Sequence, residues 1–392
     1  MSRKPHIVLR SSWGTANIGD IAHTPGMLAL LETRLPDAEI TLWPNRLSPA
    51  VETLLATRFP KLTLATTPSQ QAAALADCDF FLHGSGPSMS GWAEAQRARE
   101  AGKPYGFAGI TLADDQLRTC RDLLADARFV FTRDTDSLDA LRRAGISGPK
   151  IGFGPDTTFA LDLRDEAAAD RLLSEHGLET GRFLCAVPRL RWTPYWEIYP
   201  ERVAPNPQRS AVNEAFADRD HAKLREAIVA WVARTGLRVF LVPEMSYAVP
   251  RLRPLLYDPL PEAIKPSVAV LDRYWLTAEA ASVYARAAAV VSIELHSPII
   301  AIAAGTPAVH LRQPTDSRKG QMWRDIGLDR WLFEIDDSTG PQIAERVVEI
   351  GADLAAARDA AEKARTLTRL RMAEMIAAMG WTSPSSDQRT RA

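Results

Sequence analysis

Short apolar runs alternating with stretches of helical periodicity constrain the fold of this chain more than any other feature. In the first half the runs lie at 7–9, 40–43, 62–64, 80–82, 105–110 and 129–131, and helical patterns separate them at 25–34, 48–58, 69–76, 91–101, 114–126 and 135–144. Short strands joined by helical crossovers read as a parallel, doubly wound sheet. Gly145 closes the last of these helices, and a strand-like run at 150–153 follows it. A second series has runs at 183–187, 237–242, 268–271, 290–292 and 308–311, with helical patterns at 219–234, 277–287, 298–304 and 341–349. A chain of 392 residues is too long for one ordinary core. The expectation is α/β, with two Rossmann-like doubly wound domains facing a cleft, at 1–165 and 166–350. A charged, Ala-rich helix over 351–380 and a disordered polar tail over 381–392 complete the chain.

Composition excludes several classes of function. A formal net charge of −1 gives no reason to expect nucleic acid or an anionic membrane surface as partner. Cys78, Cys120 and Cys185 are too few and too scattered for a disulfide framework or a zinc site, and read as small buried hydrophobes. No spacing of His, Cys or paired carboxylates suits a metal, so none is expected. The chain passes from Met1 straight into its first strand without a secretory apolar region. The longest apolar stretch, 290–309, is broken by Glu294, His296, proline and glycine, so no membrane span is expected. The default location is the cytoplasm, and the oligomeric state stays open.

Two motifs stand where a loop leaves a buried strand. Asn17-Ile18-Gly19-Asp20 precedes the helical run beginning near Gly26, and Ser292-Ile293-Glu294-Leu295-His296 precedes the run beginning at Pro298. Open α/β sheets bind ligands beyond the carboxyl ends of their strands, so both motifs are candidate ligand contacts. The segment 189–209 interrupts the rhythm, with Trp192, Tyr195, Trp196 and Tyr199 set among five prolines at 188–207. That density of proline excludes a central strand or an uninterrupted helix, and a long irregular loop rich in aromatics suggests function.

Taken together, these pieces resemble the polysaccharide pyruvyl transferase family over roughly 6–330. The resemblance rests on Asn17-Ile18-Gly19-Asp20, on Gly84-Ser85-Gly86, and on Thr132-Arg133-Asp134 with the helix behind it. It continues through Gly154-Pro155-Asp156, the run from Val187 to Trp192, and Ser292 to His296 with Gly305-Thr306-Pro307. It implies a two-domain GT-B-like fold and transfer of the enolpyruvyl group of phosphoenolpyruvate to a saccharide or glycan-lipid acceptor, forming a pyruvate ketal. Phosphoenolpyruvate is a donor substrate here, and no cofactor is implied. The family's last motif usually reads Ser-x-Arg-x-His. Glu294 occupies the arginine position here, where a carboxylate would repel an anionic donor.

His296 and Asp20 are the candidate catalytic residues. Imidazole titrates near neutrality and suits proton delivery, although a histidine satisfying a strand-end carbonyl is the plainer account. Asp20 could accept a proton or simply cap its helix. Arg189 and Arg191 are the candidate replacement cations, since guanidinium forks suit carboxylate and phosphate. With Glu294, Leu295 and Lys319 they form the expected donor set. Asn17, Gly84, Ser85, Trp192 and Trp196 form the expected acceptor set, with tight turns and packing under the proline loop as competing accounts. Glu244, just beyond an apolar run, is expected to face the same cleft. Two other functions fit the same residues: a glycosyltransferase using a nucleotide sugar, whose hydroxyls Glu294 would bind, and a non-catalytic saccharide-binding protein.

Overall fold

The computed structural model describes residues 4–87 and 90–381; apart from Trp381, the tail expected to be disordered lies outside them. Within the described residues the chain forms two compact units. The first comprises 4–15, 20–162 and 367–381, and the second 16–19 and 163–366.

The first unit is built on a parallel sheet. Its strands are β1 (His6–Ser11), β2 (Glu39–Pro44), β3 (Thr63–Leu64), β4 (Phe80–His83), β5 (Gly86–Pro87), β6 (Tyr105–Thr111), β7 (Phe129–Thr132) and β8 (Lys150–Phe153). They are ordered β3-β2-β1-β4-β6-β7-β8, with β5 pairing β6. Central β1 sets Leu9 beside Leu42 on one side and Leu82 on the other. Helices cover both faces of such a sheet, which is why its strands are continuous apolar runs rather than alternating ones. The helix starts follow local chemistry. Thr67 and Gln70 form a capping box ahead of Pro68–Asp77, and Asp134 accepts from Ser137 N, 2.7 Å away, at the start of Thr135–Arg143.

The second unit repeats the plan with β9 (Phe183–Val187), β10 (Arg238–Leu241), β11 (Val268–Val270), β12 (Ala289–Ser292), β13 (Ala308–Arg312) and β14 (Leu332–Glu334). Their order is β11-β10-β9-β12-β13-β14, all parallel, with β9 between β10 and β12. The loops after β9, β10, β12 and β13 therefore leave one edge of the sheet together.

The structure departs from the expected elements in several places. The first helix runs Ile18–Arg34, starting seven residues before its periodicity, because Pro25 reads as a helix start but lies inside the helix. The single helix expected over 114–126 divides at Cys120 into Asp114–Thr119 and Arg121–Ala125. The last proline of the irregular segment begins a helix instead of preventing one. Pro207 occupies the first turn of Pro207–Thr235, where its missing N–H costs nothing, and Asn206 caps that turn by accepting from Arg209 N at 3.0 Å. The helix Glu166–Glu175 and the three-residue strand β14 were not expected.

Gly26 passes so close to the backbone of Thr157 that an added Cβ would overlap its carbonyl oxygen. Gly26→Ala improves helix propensity by about 1 kcal/mol, but the backbone clash should outweigh it, giving a net loss of about 1–3 kcal/mol. A lowered thermal midpoint is expected by calorimetry; an unchanged or raised one means that the helix shifts at little cost.

Candidate active site

Glu244 organises the carboxyl edge of the second sheet. Its Oε2 accepts from Ser297 N at 2.6 Å and from Ser297 Oγ at 2.8 Å, and its Oε1 lies 3.2 Å from both Asn17 Nδ2 and His296 Nδ1. The carboxylate thus closes the first turn of the helix His296–Ala303, where negative charge is favoured. Burial pushes its pKa up, but His296 and the two Ser297 donors outweigh burial and hold it at about 2.

The backbone of 16–19 is tied to the same place. Asn17 bridges Met245, Ile18 N donates to Glu244 O at 3.1 Å, and Thr277 Oγ1 donates to Ile18 O at 2.6 Å. Asn17 Oδ1 accepts from Gly19 N at 2.6 Å, and a Cβ at Gly19 would run into the His296 ring. Asn17, placed with the acceptor set, thus contacts Glu244 instead. With Nδ1 anchored on Glu244, Nε2 is the ring nitrogen able to pass a proton to or from a ligand.

Beside this dyad, Arg189 pairs with Asp316 and with Glu294, whose Oε2 lies 3.3 Å from Arg189 Nε. Burial opposes the charge on Arg189, yet the two carboxylates hold its pKa above the ordinary arginine value. Glu294 behaves in the opposite way to Glu244. Burial and the neighbouring Glu244 carboxylate push its pKa up to about 8 against the pull of Arg189 and Lys319. His310, at the same edge, is pushed down to about 4, chiefly by burial.

Several expected site residues have structural partners instead. Arg191 is held by a two-bond fork to Asp220, both bonds 2.9 Å long, and by Asp336, and it stacks on Phe216 at 3.6 Å, bracing the helix Pro207–Thr235. Leu295 is a core side chain, 1% exposed. Trp192 lies under Arg209, 4.4 Å from its ring, and its backbone N donates to Asn213 Oδ1. Trp196 is half-buried on the short turn Tyr195–Ile198.

In the first unit the Gly84-Ser85-Gly86 turn is filled from within. Trp13 Nε1 donates to Ser85 O at 2.5 Å, and its ring takes the space that a side chain at Gly86 would need. Ser85 Oγ, fully buried, meets His23 Nδ1 at 2.8 Å and Thr157 Oγ1 at 2.5 Å and accepts from Thr157 N. Asp156 Oδ1 reaches the same His23 nitrogen at 2.9 Å, so serine and carboxylate compete for one ring position and no proton relay results. Arg133 donates to Asp156 at 2.7 Å, joining two of the short motifs in one buried anchor. Gly84 and Ser85, expected among the acceptor contacts, are both buried. Asp20 is half-buried, with its carboxylate against Gly14.

Sequence reasoning missed Asp316 and Tyr247. The signal for Asp316 was present, since it lies just past the apolar run that becomes β13. Tyr247, whose hydroxyl accepts from Leu190 N at 3.1 Å, had none.

A model of the family described as polysaccharide pyruvyl transferase matches residues 17–313. No curated protein matches the sequence significantly. Similar solved structures include Anabaena Alr3699/HepE in complex with UDP and glucose, 13% identical over 96% of this chain and 99% of that one, with a TM-score of 0.58. A putative UDP-N-acetylglucosamine 2-epimerase from Listeria monocytogenes is 11% identical over 96% of each chain, with a TM-score of 0.56. Medicago truncatula UGT71G1 complexed with UDP-glucose is 10% identical over 96% and 97%, with a TM-score of 0.55. Identities this low speak for the fold alone, which is that of the GT-B-type glycosyltransferases and epimerases.

The raised Glu294 pKa has a definite sign in stability. The folded protein holds the proton more tightly than the unfolded chain, so this contribution is complete below about 4.5 and is lost as pH rises towards 8. Glu294→Gln should therefore gain thermal stability relative to wild type as pH rises through that window. The gain should level off above it at about 1–3 kcal/mol. A difference in melting midpoint that stays flat from pH 5 to 9 would contradict this assignment.

Proposed function

The chain belongs to the polysaccharide pyruvyl transferase family, and from that premise we propose that it transfers the enolpyruvyl group of phosphoenolpyruvate to a saccharide diol. The observation that carries this reading is the His296–Glu244 dyad, which lies at the carboxyl edge of a parallel sheet within the matched span. In the proposed reaction a proton reaches the donor's methylene carbon and makes it a methyl group. One saccharide hydroxyl adds to the adjacent carbon, phosphate leaves, and a second hydroxyl closes the ketal. Of the two hydroxyl protons, one replaces the proton used on the methylene and the other departs with phosphate.

His296 is the proton carrier in this scheme, with Glu244 and Gly19 as positioning residues that fix its ring. Arg189 and Lys319 supply the positive charge for the donor, which we assign to the second unit. The acceptor, a free saccharide or a glycan-lipid head, is assigned to the first unit, with Asp20 as its candidate contact. Among the described residues no helix is long and apolar enough to cross a membrane.

Thermal-shift measurements with phosphoenolpyruvate, UDP and UDP-glucose test the donor class, since a ligand at a hundred times its Kd stabilises the native state by about 2.7 kcal/mol. Stabilisation by phosphoenolpyruvate is expected. A response to the nucleotides alone favours the glycosyltransferase, and no response to any of them favours a binding protein. His296→Ala should fold normally, by circular dichroism, and lose roughly 100-fold or more in phosphate release; a well-folded variant of near-normal rate removes His296 from the chemistry. Arg189→Lys keeps the charge but loses the planar fork, and should weaken donor binding about tenfold while sparing the acceptor KM. A raised acceptor KM with unchanged donor affinity would reverse that assignment.

A further inference from the structure

The position that the family usually fills with arginine holds a carboxyl group whose surroundings are unsuited to an anion. Glu294 is 5% exposed, and among the described residues its Oε1 has no hydrogen-bond partner. Its Oε2 faces Arg189, but that guanidinium already pairs with Asp316, which is more deeply buried than Glu294. Glu244, the other carboxylate nearby, has four hydrogen-bonding groups of its own: the helix-start N–H and hydroxyl of Ser297, the His296 ring and the Asn17 amide. A buried carboxylate oxygen with no donor is costly, whereas a carboxylic acid at the same place needs only an acceptor. Two neighbouring acids in such unequal environments divide the roles of anion and acid between them.

We propose that Glu294 works as a neutral carboxylic acid whose O–H hydrogen-bonds an oxyanion of the donor substrate. This inference rests on the reading of the donor as phosphoenolpyruvate. It removes the conflict between an acidic residue and an anionic ligand, because the protonated group donates instead of repelling. It also makes Glu294 a specificity-determining residue that couples donor binding to pH.

The charged and titratable groups around Glu294 are Arg189 on the loop after β9, Glu244 and Tyr247 after β10, Tyr284 on the helix Thr277–Arg286, and Asp316 and Lys319 after β13. Both tyrosines are pushed up by burial and remain neutral. Burial opposes ionisation of Asp316, but Arg189 and Lys319 hold its pKa below the ordinary value. Within this set Glu294 is the carboxyl pushed up, to about 8.

Two measurements on the full chain decide the matter. Infrared difference spectra of wild type against Glu294→Gln, without ligand, should contain the C=O stretch of a protonated carboxyl at pH 6.5, and that band should fade by about pH 9. Its absence at pH 6.5 overturns the proposal whatever the donor is. Calorimetric titration with phosphoenolpyruvate should show wild-type affinity falling towards about tenfold per pH unit above pH 8. The phosphate's own proton, with a pKa of about 6, is gone by then. Glu294→Gln, whose amide N–H also donates but does not titrate, should lose that pH dependence. An unchanged pH dependence in the variant overturns the proposal. If phosphoenolpyruvate binds neither protein at any pH, the proposed reaction and the ligand assigned to Glu294 both fall, while the infrared band still reports independently on the protonation.

Discussion

The Glu244 carboxylate is the interaction on which the second unit's site depends. It is fully buried and receives four hydrogen-bonding groups, from Asn17, His296 and Ser297. Those groups come from two separate stretches of chain, and Glu244 itself from a third, so one charge ties the 16–19 segment, the loop after β10 and the helix after β12 together. Removing the carboxylate would leave buried donors without an acceptor, a larger cost than the net worth of any one of the bonds. The same contacts fix the orientation of the His296 ring.

A second consequence concerns the division of charge. An ionised Glu244 raises the cost of ionising Glu294, and Arg189 cannot compensate fully because Asp316 also pairs with it. Arrangements of this kind, in which one carboxylate is fully solvated by protein donors and its neighbour is not, separate the two acids over several pH units. The environment of Glu294 therefore depends on Asp316, four residues past the end of β13. Glu294 and Asp316 have to be read together.

The first unit teaches a complementary lesson about short motifs. Gly84-Ser85-Gly86, Thr132-Arg133-Asp134 and Gly154-Pro155-Asp156 carry the family resemblance, yet in this unit they form one buried network around Asp156. Gly86 makes room for Trp13, and Gly154 for Met375 and Phe131. Ser12, with φ at 64°, adopts a left-handed conformation unusual for a residue with a side chain, and its N–H is held by Thr24 Oγ1 at 2.8 Å. A motif can recur because a sheet edge needs it to close, without touching a substrate.

The sequence by itself determined the α/β class, the two parallel sheets and most strands, because buried parallel strands must be apolar throughout and that pattern is local. It also placed His296, Glu294 and Glu244 at strand ends, since each directly follows an apolar run. Proline misled it twice: Pro25 and Pro207 carry the same local signal, but one sits inside a helix and the other starts one, and only packing separates the two cases. Partners were beyond its reach. Whether Arg189 or Arg191 keeps its charge available depends on Asp220, Asp316 and Asp336, which lie 29 to 145 residues away along the chain. Charge pairing is decided by distance in space, so the tertiary structure alone determined which carboxylates each arginine meets.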